Sequence, residues 1–351
     1  MNNLPGKMRG VLLTGHGGFE CLEYRDELAV PALNAGEVLV KVGAAAVNNT
    51  DINTRVGWYS KGDGDAEDAG WSGNALNLPR IQGADVCGTI AAVGEGVSAE
   101  RVGERVIIEP CLWEADGKKL ETAWYFGSEC DGGFAEYTRI AARYAHPVDC
   151  ELSDVELASF PCSYSTAENM LTRTALTSGE TVLVTGASGG VGSAAIQLAK
   201  ARGAKVIAIT SASKAGAIAK IGADQALDRD DDLVEVLGTN SIDVVIDLVA
   251  GPKWPKLLDV LRPGGRYAVS GAIAGPIVEL DVRTLYLKDL SFFGCTVLEP
   301  VVFANLVKLI EAGKIKPLVA ETYPLAEIVE AQKSFQQKSH IGKIVLEVAQ
   351  T

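Results

Sequence analysis

Thr185-Gly186-Ala187-Ser188-Gly189-Gly190-Val191-Gly192 decides the reading of this chain. The apolar run Thr181-Val182-Leu183-Val184 precedes it, and the helix-forming stretch Ser193-Ala194-Ala195-Ile196-Gln197-Leu198-Ala199-Lys200 follows. A glycine pattern alone means little; between a strand and a helix it is the signature of a dinucleotide cradle. Gly189 lets the backbone approach a pyrophosphate, and Gly192 lets the helix lie close on the strand. Ser188, Gly190 and Val191 complete the turn, whose free N–H groups and positive helix end face the phosphates. The plainer alternative is an ordinary strand-to-helix turn, and the two flanks together argue against it.

Downstream, the pattern repeats. Apolar strand candidates at 181–185, 205–210, 243–249 and 265–270 alternate with helical stretches, the mark of a doubly wound parallel sheet. Pro263-Gly264-Gly265 turns the chain into the last of these, and Phe292–Val297 is a further strand candidate. Val155–Leu176 and Phe303–Ala312 read as helical, and Lys343–Glu347 as a closing strand. Upstream, Val38–Val42, Gly88–Val93 and Arg105–Ile108 are short strands of the kind that build a small, partly open barrel. The expected organisation is a β-rich domain over 1–150, a dinucleotide domain over 151–296, and a tail, 297–351, returning to the first. Gly57–Asn77 is glycine-rich and acidic and carries Trp58, Tyr59 and Trp71; it reads as a solvated loop or as a lid over a substrate. Asp228–Asp232 reads as a solvated helix start.

The bulk numbers narrow the ligand. The chain has 351 residues, 47% of them apolar, which suits two domains with sizeable cores. A net charge of −13 argues against nucleic acid and against an anionic membrane surface. No apolar run is long enough to span a bilayer, and Met1–Lys7 shows no hydrophobic signal region, so the expected setting is cytoplasmic and the expected partner a small molecule. The seven cysteines are scattered with no Cys-x-x-Cys pair, as in a reduced, mostly buried set.

Four segments resemble the medium-chain dehydrogenase/reductase superfamily. Asn48-Asn49-Thr50-Asp51 with Arg55, Gly57 and Tyr59 is similar to its Asn-x-x-Asp-x-x-x-Arg-x-Gly-x-Tyr motif. Gly83–Gly88 with Gly94, Ala187–Gly192, and Gly342-Lys343-Ile344-Val345-Leu346 match three more. The resemblance implies a GroES-like barrel domain plus a Rossmann domain. Zinc-dependent members bind catalytic metal through a Cys, a His and a second Cys; here those positions hold Asn48, Ala84 and Cys162. Zinc needs about three protein ligands and an open position. Only Cys111 and Cys130 stand where a structural zinc lobe needs four cysteines. No metal site is therefore expected, and the resemblance narrows to the zinc-independent quinone oxidoreductase-like branch. A short-chain dehydrogenase shares the glycines but needs Tyr-x-x-x-Lys, and no tyrosine here has lysine four residues later.

The cofactor choice rests on the turn after the second strand. An NAD site usually ends this strand with Asp or Glu on the ribose hydroxyls. Here Thr210, Ser211, Ser213 and Lys214 offer hydroxyls and a cation, which suit a 2′-phosphate and point to NADPH. Val249, Ala250, Gly271 and Ala272, after the later strands, are expected along the nicotinamide half, and Lys343 joins the cofactor set through its motif. The resemblance places Asn48, Asp51 and Tyr59 near the acceptor. Asn48 or Tyr59 could polarise its carbonyl, while Asp51 reads as an orienting group or a helix cap. The expected activity is hydride transfer from NADPH to a quinone or activated enone. A zinc-type alcohol dehydrogenase with altered ligands and a non-enzymatic NADPH sensor are the alternatives. By analogy a homodimer is expected, paired through an edge strand such as Phe292–Val297.

Overall fold

The structure is a computed structural model that describes residues 4–60 and 70–348. Much of the Gly57–Asn77 stretch, 61–69, thus lies outside the described residues. The chain forms two compact units, one running to Cys162 and resuming at Pro317, the other Ser163–Lys316. The division falls after 162 and 316, against the expected 150 and 296.

The first unit opens with β1 (Lys7–Leu13), β2 (Leu22–Ala29), β3 (Glu37–Ala46), α1 (Asn49–Arg55), β4 (Arg80–Ile81) and β5 (Asp85–Val93). It continues with β6 (Arg105–Ile108), β7 (Cys111–Ala115), β8 (Lys118–Tyr125), β9 (Tyr137–Ala141), β10 (Ala145–Pro147) and α2 (Asp154–Leu157). Helix α2 packs on β3 and β5, which carries this unit past residue 150. The expected single helix over Val155–Leu176 is broken, because Pro161 has no N–H to continue a ladder; it starts α3 (Pro161–Arg173) instead.

The second unit contains β11 (Thr181–Val184), α4 (Gly190–Ala201), β12 (Lys205–Thr210), α5 (Ala215–Lys220), β13 (Gln225–Asp228) and α6 (Leu233–Leu237). Then follow β14 (Ile242–Asp247), α7 (Trp254–Val260), β15 (Leu261–Val269), α8 (Val282–Leu287), β16 (Ser291–Gly294) and α9 (Val302–Glu311). The chain closes in the first unit with β17 (Val319–Pro324), α10 (Ile328–Gln337) and β18 (Lys343–Glu347).

Period-two burial organises the first unit. Val38, Val40 and Val42 on β3, Val86 and Ile90 on β5, and Val106 and Ile108 on β6 enter one core. Removing such a side chain from water contributes about 1.5–3 kcal/mol each. The main sheet runs β10-β6-β5-β3-β18-β17, with β9 also on β3. Strand β18 pairs antiparallel with β3 through Val345↔Ala46, which sets the C-terminal strand beside the start of α1.

The second unit is a parallel sheet ordered β13-β12-β11-β14-β15-β16. Val182, Leu183, Val184, Val244, Val245 and Ile246 have no exposed surface, as expected of strands covered on both faces. Strand β13 escaped the sequence reading because Gln225-Ala226-Leu227-Asp228 is too short and polar to show a pattern. Strand β16 begins one residue before the expected Phe292 and stops at Gly294. Among the described residues no helix is long and apolar enough to cross a membrane.

Candidate active site

At the end of β3 the chain turns into α1, and Asn48 is the helix N-cap. Its backbone N–H donates to Asp51 Oδ2 at 2.7 Å, satisfying one free end group of the turn. Asp51 Oδ1 accepts from Gly83 N at 3.2 Å, and the Asp51 carbonyl accepts from Gln82 Nε2 at 3.0 Å. Asp51 thereby ties α1 to the turn before β5. That turn needs glycine: Gly83 has φ +105, and a Cβ there would lie 2.5 Å from the Phe134 ring. Burial pushes the Asp51 carboxyl up to about 7, with the two N–H donors and Lys343 pulling the other way.

Asp85, the first residue of β5, collects three donors. Its Oδ2 accepts from Asn48 Nδ2 at 2.8 Å and from Lys343 Nζ at 2.7 Å, and its Oδ1 accepts from Cys162 N at 2.6 Å. Lys343 Nζ also donates to Asn48 Oδ1 at 2.5 Å. The second Asn48 amide hydrogen goes to the Ala46 carbonyl at 3.3 Å. Asp85 is 0% and Lys343 2% exposed, so each is held in a dry core by the other. Lys343, expected among cofactor-binding residues, is thus the counter-ion of Asp85, because a buried carboxylate needs one. Asn48, expected as a carbonyl donor, has both amide hydrogens engaged within the network.

This network fills the positions where zinc-dependent relatives of the resemblance hold metal, and it does not fit zinc. Ala84 has no donor atom, Asn48 is committed to Lys343 and Asp85, and the Lys343 ammonium sits on the Asp85 carboxylate. The Cys162 thiol is raised to about 12, first by burial and then by Asp85. Tyr125 donates from its hydroxyl to Cys162 Sγ at 3.0 Å. Burial keeps this phenol neutral as well. Trp71 stacks on Tyr125 with ring centroids 4.9 Å apart, anchored through its N–H to Ser128 Oγ at 3.1 Å. Trp71, Tyr125, Ala84 and Cys162 form a small apolar cluster beside the ionic one. Nothing in the sequence marked Tyr125, which is 37 residues from its partner.

Tyr59 lies just beyond α1, and its hydroxyl donates to Thr50 Oγ1 at 3.2 Å. Burial raises its pKa, and the nearby Cys162 and Asp51 raise it further, so the phenol holds its proton at neutral pH.

The second unit carries the remaining expected residues at the C-terminal ends of its parallel strands, where such sheets bind ligands. Gly189 caps α4, and a Cβ there would meet nothing nearer than the Gly186 carbonyl at 3.5 Å, so the space a phosphate needs is open. A Cβ on Gly192 would lie 2.3 Å from that carbonyl, so only glycine lets α4 pack here. Ser188, Gly190 and Val191 lie in the same turn and first helical residues. Thr210 ends β12 with its side chain buried, whereas Ser213 is exposed and Ser211 and Lys214 half-buried. Ser211 and Ser213 hydroxyls lie 3.2 Å apart, and Lys214 Nζ reaches Ser188 Oγ at 3.5 Å, linking this turn to the glycine turn. Val249 and Ala250 follow β14; Gly271 and Ala272 follow β15. Asp247, which the sequence reading did not single out, holds the first of these turns. It accepts from Thr185 Oγ1 at 2.6 Å, Val249 N at 3.0 Å and Tyr267 Oη at 2.7 Å. Ala250 is held at φ +52. This geometry fits a dinucleotide.

A GroES-like barrel followed by a Rossmann sheet, with β18 returned to the barrel, defines a class of nicotinamide-dependent oxidoreductases. Two family models match the chain: the alcohol dehydrogenase GroES-like domain over residues 34–150 and the zinc-binding dehydrogenase over 190–312. The chain belongs to the medium-chain dehydrogenase/reductase superfamily, in its quinone oxidoreductase-like branch, and is an oxidoreductase. It is similar to acryloyl-coenzyme A reductase of Metallosphaera sedula, at 32% identity over 97% of this chain and 99% of the relative. It is also similar to quinone oxidoreductase of Homo sapiens, at 31% identity over 97% of each. A crystal structure from Sinorhizobium meliloti 1021, provisionally described as an alcohol dehydrogenase, superposes with a TM-score of 0.90 at 47% identity over 99% of each chain. The family description as zinc-binding does not extend to the residues around Asp85.

Proposed function

We propose that this protein transfers hydride from NADPH to a carbon–carbon double bond conjugated with a carbonyl, in a quinone or an enone, without a catalytic metal. The observation that carries the reading is the Lys343–Asp85–Asn48 network, which occupies the metal-ligand positions with a committed ion pair. The names of the two curated relatives, a quinone oxidoreductase and an acryloyl-coenzyme A reductase, share that conjugated acceptor.

Bound NADPH supplies the hydride. Ser188–Gly192 would hold its pyrophosphate, Thr210, Ser211, Ser213 and Lys214 its 2′-phosphate ribose, and Val249, Ala250, Gly271 and Ala272 its nicotinamide half. As hydride reaches the β-carbon, the electron pair of the double bond moves toward the carbonyl oxygen. Tyr59, a neutral phenol, turns its hydrogen from Thr50 Oγ1, which it reaches over a long 3.2 Å, to that oxygen. Asp51 and Asn48 position α1, on which Tyr59 depends, and do not touch the acceptor. Trp71 and Tyr125 give the acceptor an apolar wall. The proton that completes the reduced product comes from solvent.

Ile273, Ile277, Val282, Tyr286 and Leu287, in the segments that lead to the edge strand β16, are exposed. Exposed apolar side chains beside an open sheet edge favour association, and we assign this edge to a homodimer. The test of the activity is NADPH oxidation against a panel of quinones, enones and simple ketones. Turnover of the conjugated acceptors alone is expected; turnover of simple ketones alone would overturn the reading.

A further inference from the structure

Asp247 closes β14 with no exposed surface, yet among the described residues neutral donors rather than a cation meet its charge. Oδ1 accepts from Thr185 Oγ1 at 2.6 Å and from Val249 N at 3.0 Å, and Oδ2 accepts from Tyr267 Oη at 2.7 Å. The Ala250 N–H is shared by the two oxygens, with its nitrogen 3.2 Å from each. Thr185 Oγ1 accepts in turn from Leu248 N at 2.9 Å. One carboxylate thus holds three successive backbone N–H groups, two directly and one through a hydroxyl. These bonds offset the cost of taking the charge out of water.

The turn they hold is an unusual one. Ala250 has φ +52 and Gly251 φ +74, and an alanine takes such a conformation only where its surroundings impose it. The next turn, after β15, locks onto this one. Ala274 N donates to the Val249 carbonyl at 2.9 Å, and a Cβ on Gly271 would lie 2.9 Å from the Leu248 carbonyl oxygen. Tyr267, on β15, packs against Trp254 and Phe292, with ring centroids 5.7 and 5.3 Å away. Asp247 is therefore the common anchor of both turns. Val249, Ala250, Gly271 and Ala272 are half-buried, so the turns are open to a ligand that the carboxylate beneath does not meet.

We propose that Asp247 is a positioning residue for the nicotinamide of NADPH, acting through the Leu248–Gly251 turn rather than by contact. The inference rests on the reading above that Val249, Ala250, Gly271 and Ala272 hold the nicotinamide half. A carboxylate suits the task because both its oxygens accept. An asparagine of the same shape offers one oxygen and turns an NH₂ group toward a donor.

The experiment is a titration of the full-length protein with NADPH and with 2′-phospho-ADP-ribose, which lacks the nicotinamide ring. It is run on the parent, Asp247→Asn and Tyr267→Phe, with thermal melts to show that each is folded. The parent is expected to bind NADPH at least about tenfold more tightly than 2′-phospho-ADP-ribose. Asp247→Asn should weaken NADPH about tenfold and leave 2′-phospho-ADP-ribose within about twofold. Tyr267→Phe keeps the ring and removes one donor; it should weaken NADPH about threefold with 2′-phospho-ADP-ribose unchanged, and it decides the matter if Asp247→Asn does not fold. Equal weakening of both ligands, or of neither, overturns the proposal, since Asp247 would then support the sheet and not the nicotinamide. A parent that binds 2′-phospho-ADP-ribose as tightly as NADPH instead overturns the placement of the nicotinamide on these turns.

Discussion

Around Asp85 in the first unit, the described donors and acceptors are matched inside the protein: Asn48 uses both amide hydrogens, Asp85 takes three bonds, and Lys343 lies between them. Around Ser211 and Lys214 in the second unit, the Ser211 and Ser213 hydroxyls lie 3.2 Å apart at the surface and Lys214 Nζ reaches Ser188 Oγ at 3.5 Å. A buried cluster with its bonds made internally is architecture, since any gap would cost the desolvation of a charge. A solvent-facing cluster of hydroxyls and a cation is suited to an anionic ligand. Both clusters contain a lysine expected to bind the cofactor, and burial separates their roles.

The sharpest way to break that contrast is Lys343→Met, which strands the Asp85 carboxylate in a dry core. Urea unfolding should show a loss of about 3–5 kcal/mol, with part recovered in Asp85→Asn/Lys343→Met. A loss below about 1 kcal/mol would mean that the pair is not structural.

Tyr59→Phe tests the donor next to the network. It should lower kcat about 100-fold, about 2.7 kcal/mol in the barrier, while stability changes by less than about 1 kcal/mol. Unchanged turnover on the best acceptor would remove Tyr59 from the chemistry.

Asp51 offers a pH test. Its carboxyl is raised from 3.8 to about 7 in the folded protein, so the native state holds this proton where the unfolded chain has lost it. Stability from this group is therefore fullest below the unfolded value and falls as pH rises toward 7, by up to about 1.4 kcal/mol per pH unit. Asp51→Asn should flatten that slope in unfolding curves taken between about pH 4 and 7. An unaltered slope would show that other groups set it.

The smallest expected effect is at the exposed cluster. Lys214→Gln should weaken NADPH about five- to tenfold, leave NADH unchanged, and leave unfolding within about 0.5 kcal/mol of the parent. A matching loss of stability would erase the distinction between the two clusters.

The same contrast explains what was legible in the sequence. The Rossmann half showed itself because strand, turn and helix are local: Thr181–Val184 is apolar throughout, and Gly189 and Gly192 stand where steric space requires them. The cofactor turn, Thr210–Lys214, is contiguous and was readable. The ionic network was not, because Asn48 and Lys343 are 295 residues apart and meet only through the pairing of β18 with β3. Motif matching found Asn48 and Lys343 individually but could not see that they bond to each other. Tyr125 and Asp247 had no signal, since a tyrosine at the end of a hairpin strand and an aspartate closing an apolar strand are common. The absent histidine at Ala84 was visible, and the structure adds what replaced the missing ligands.

The most direct test is metal content measured on the same active preparation used for turnover. Protein exhaustively treated with chelator should retain full NADPH-dependent reduction of a quinone or enone, with zinc far below one atom per chain. One tightly held zinc per chain, with activity lost on its removal and restored on its return, would contradict the assignment of the Asp85 site to an ion pair.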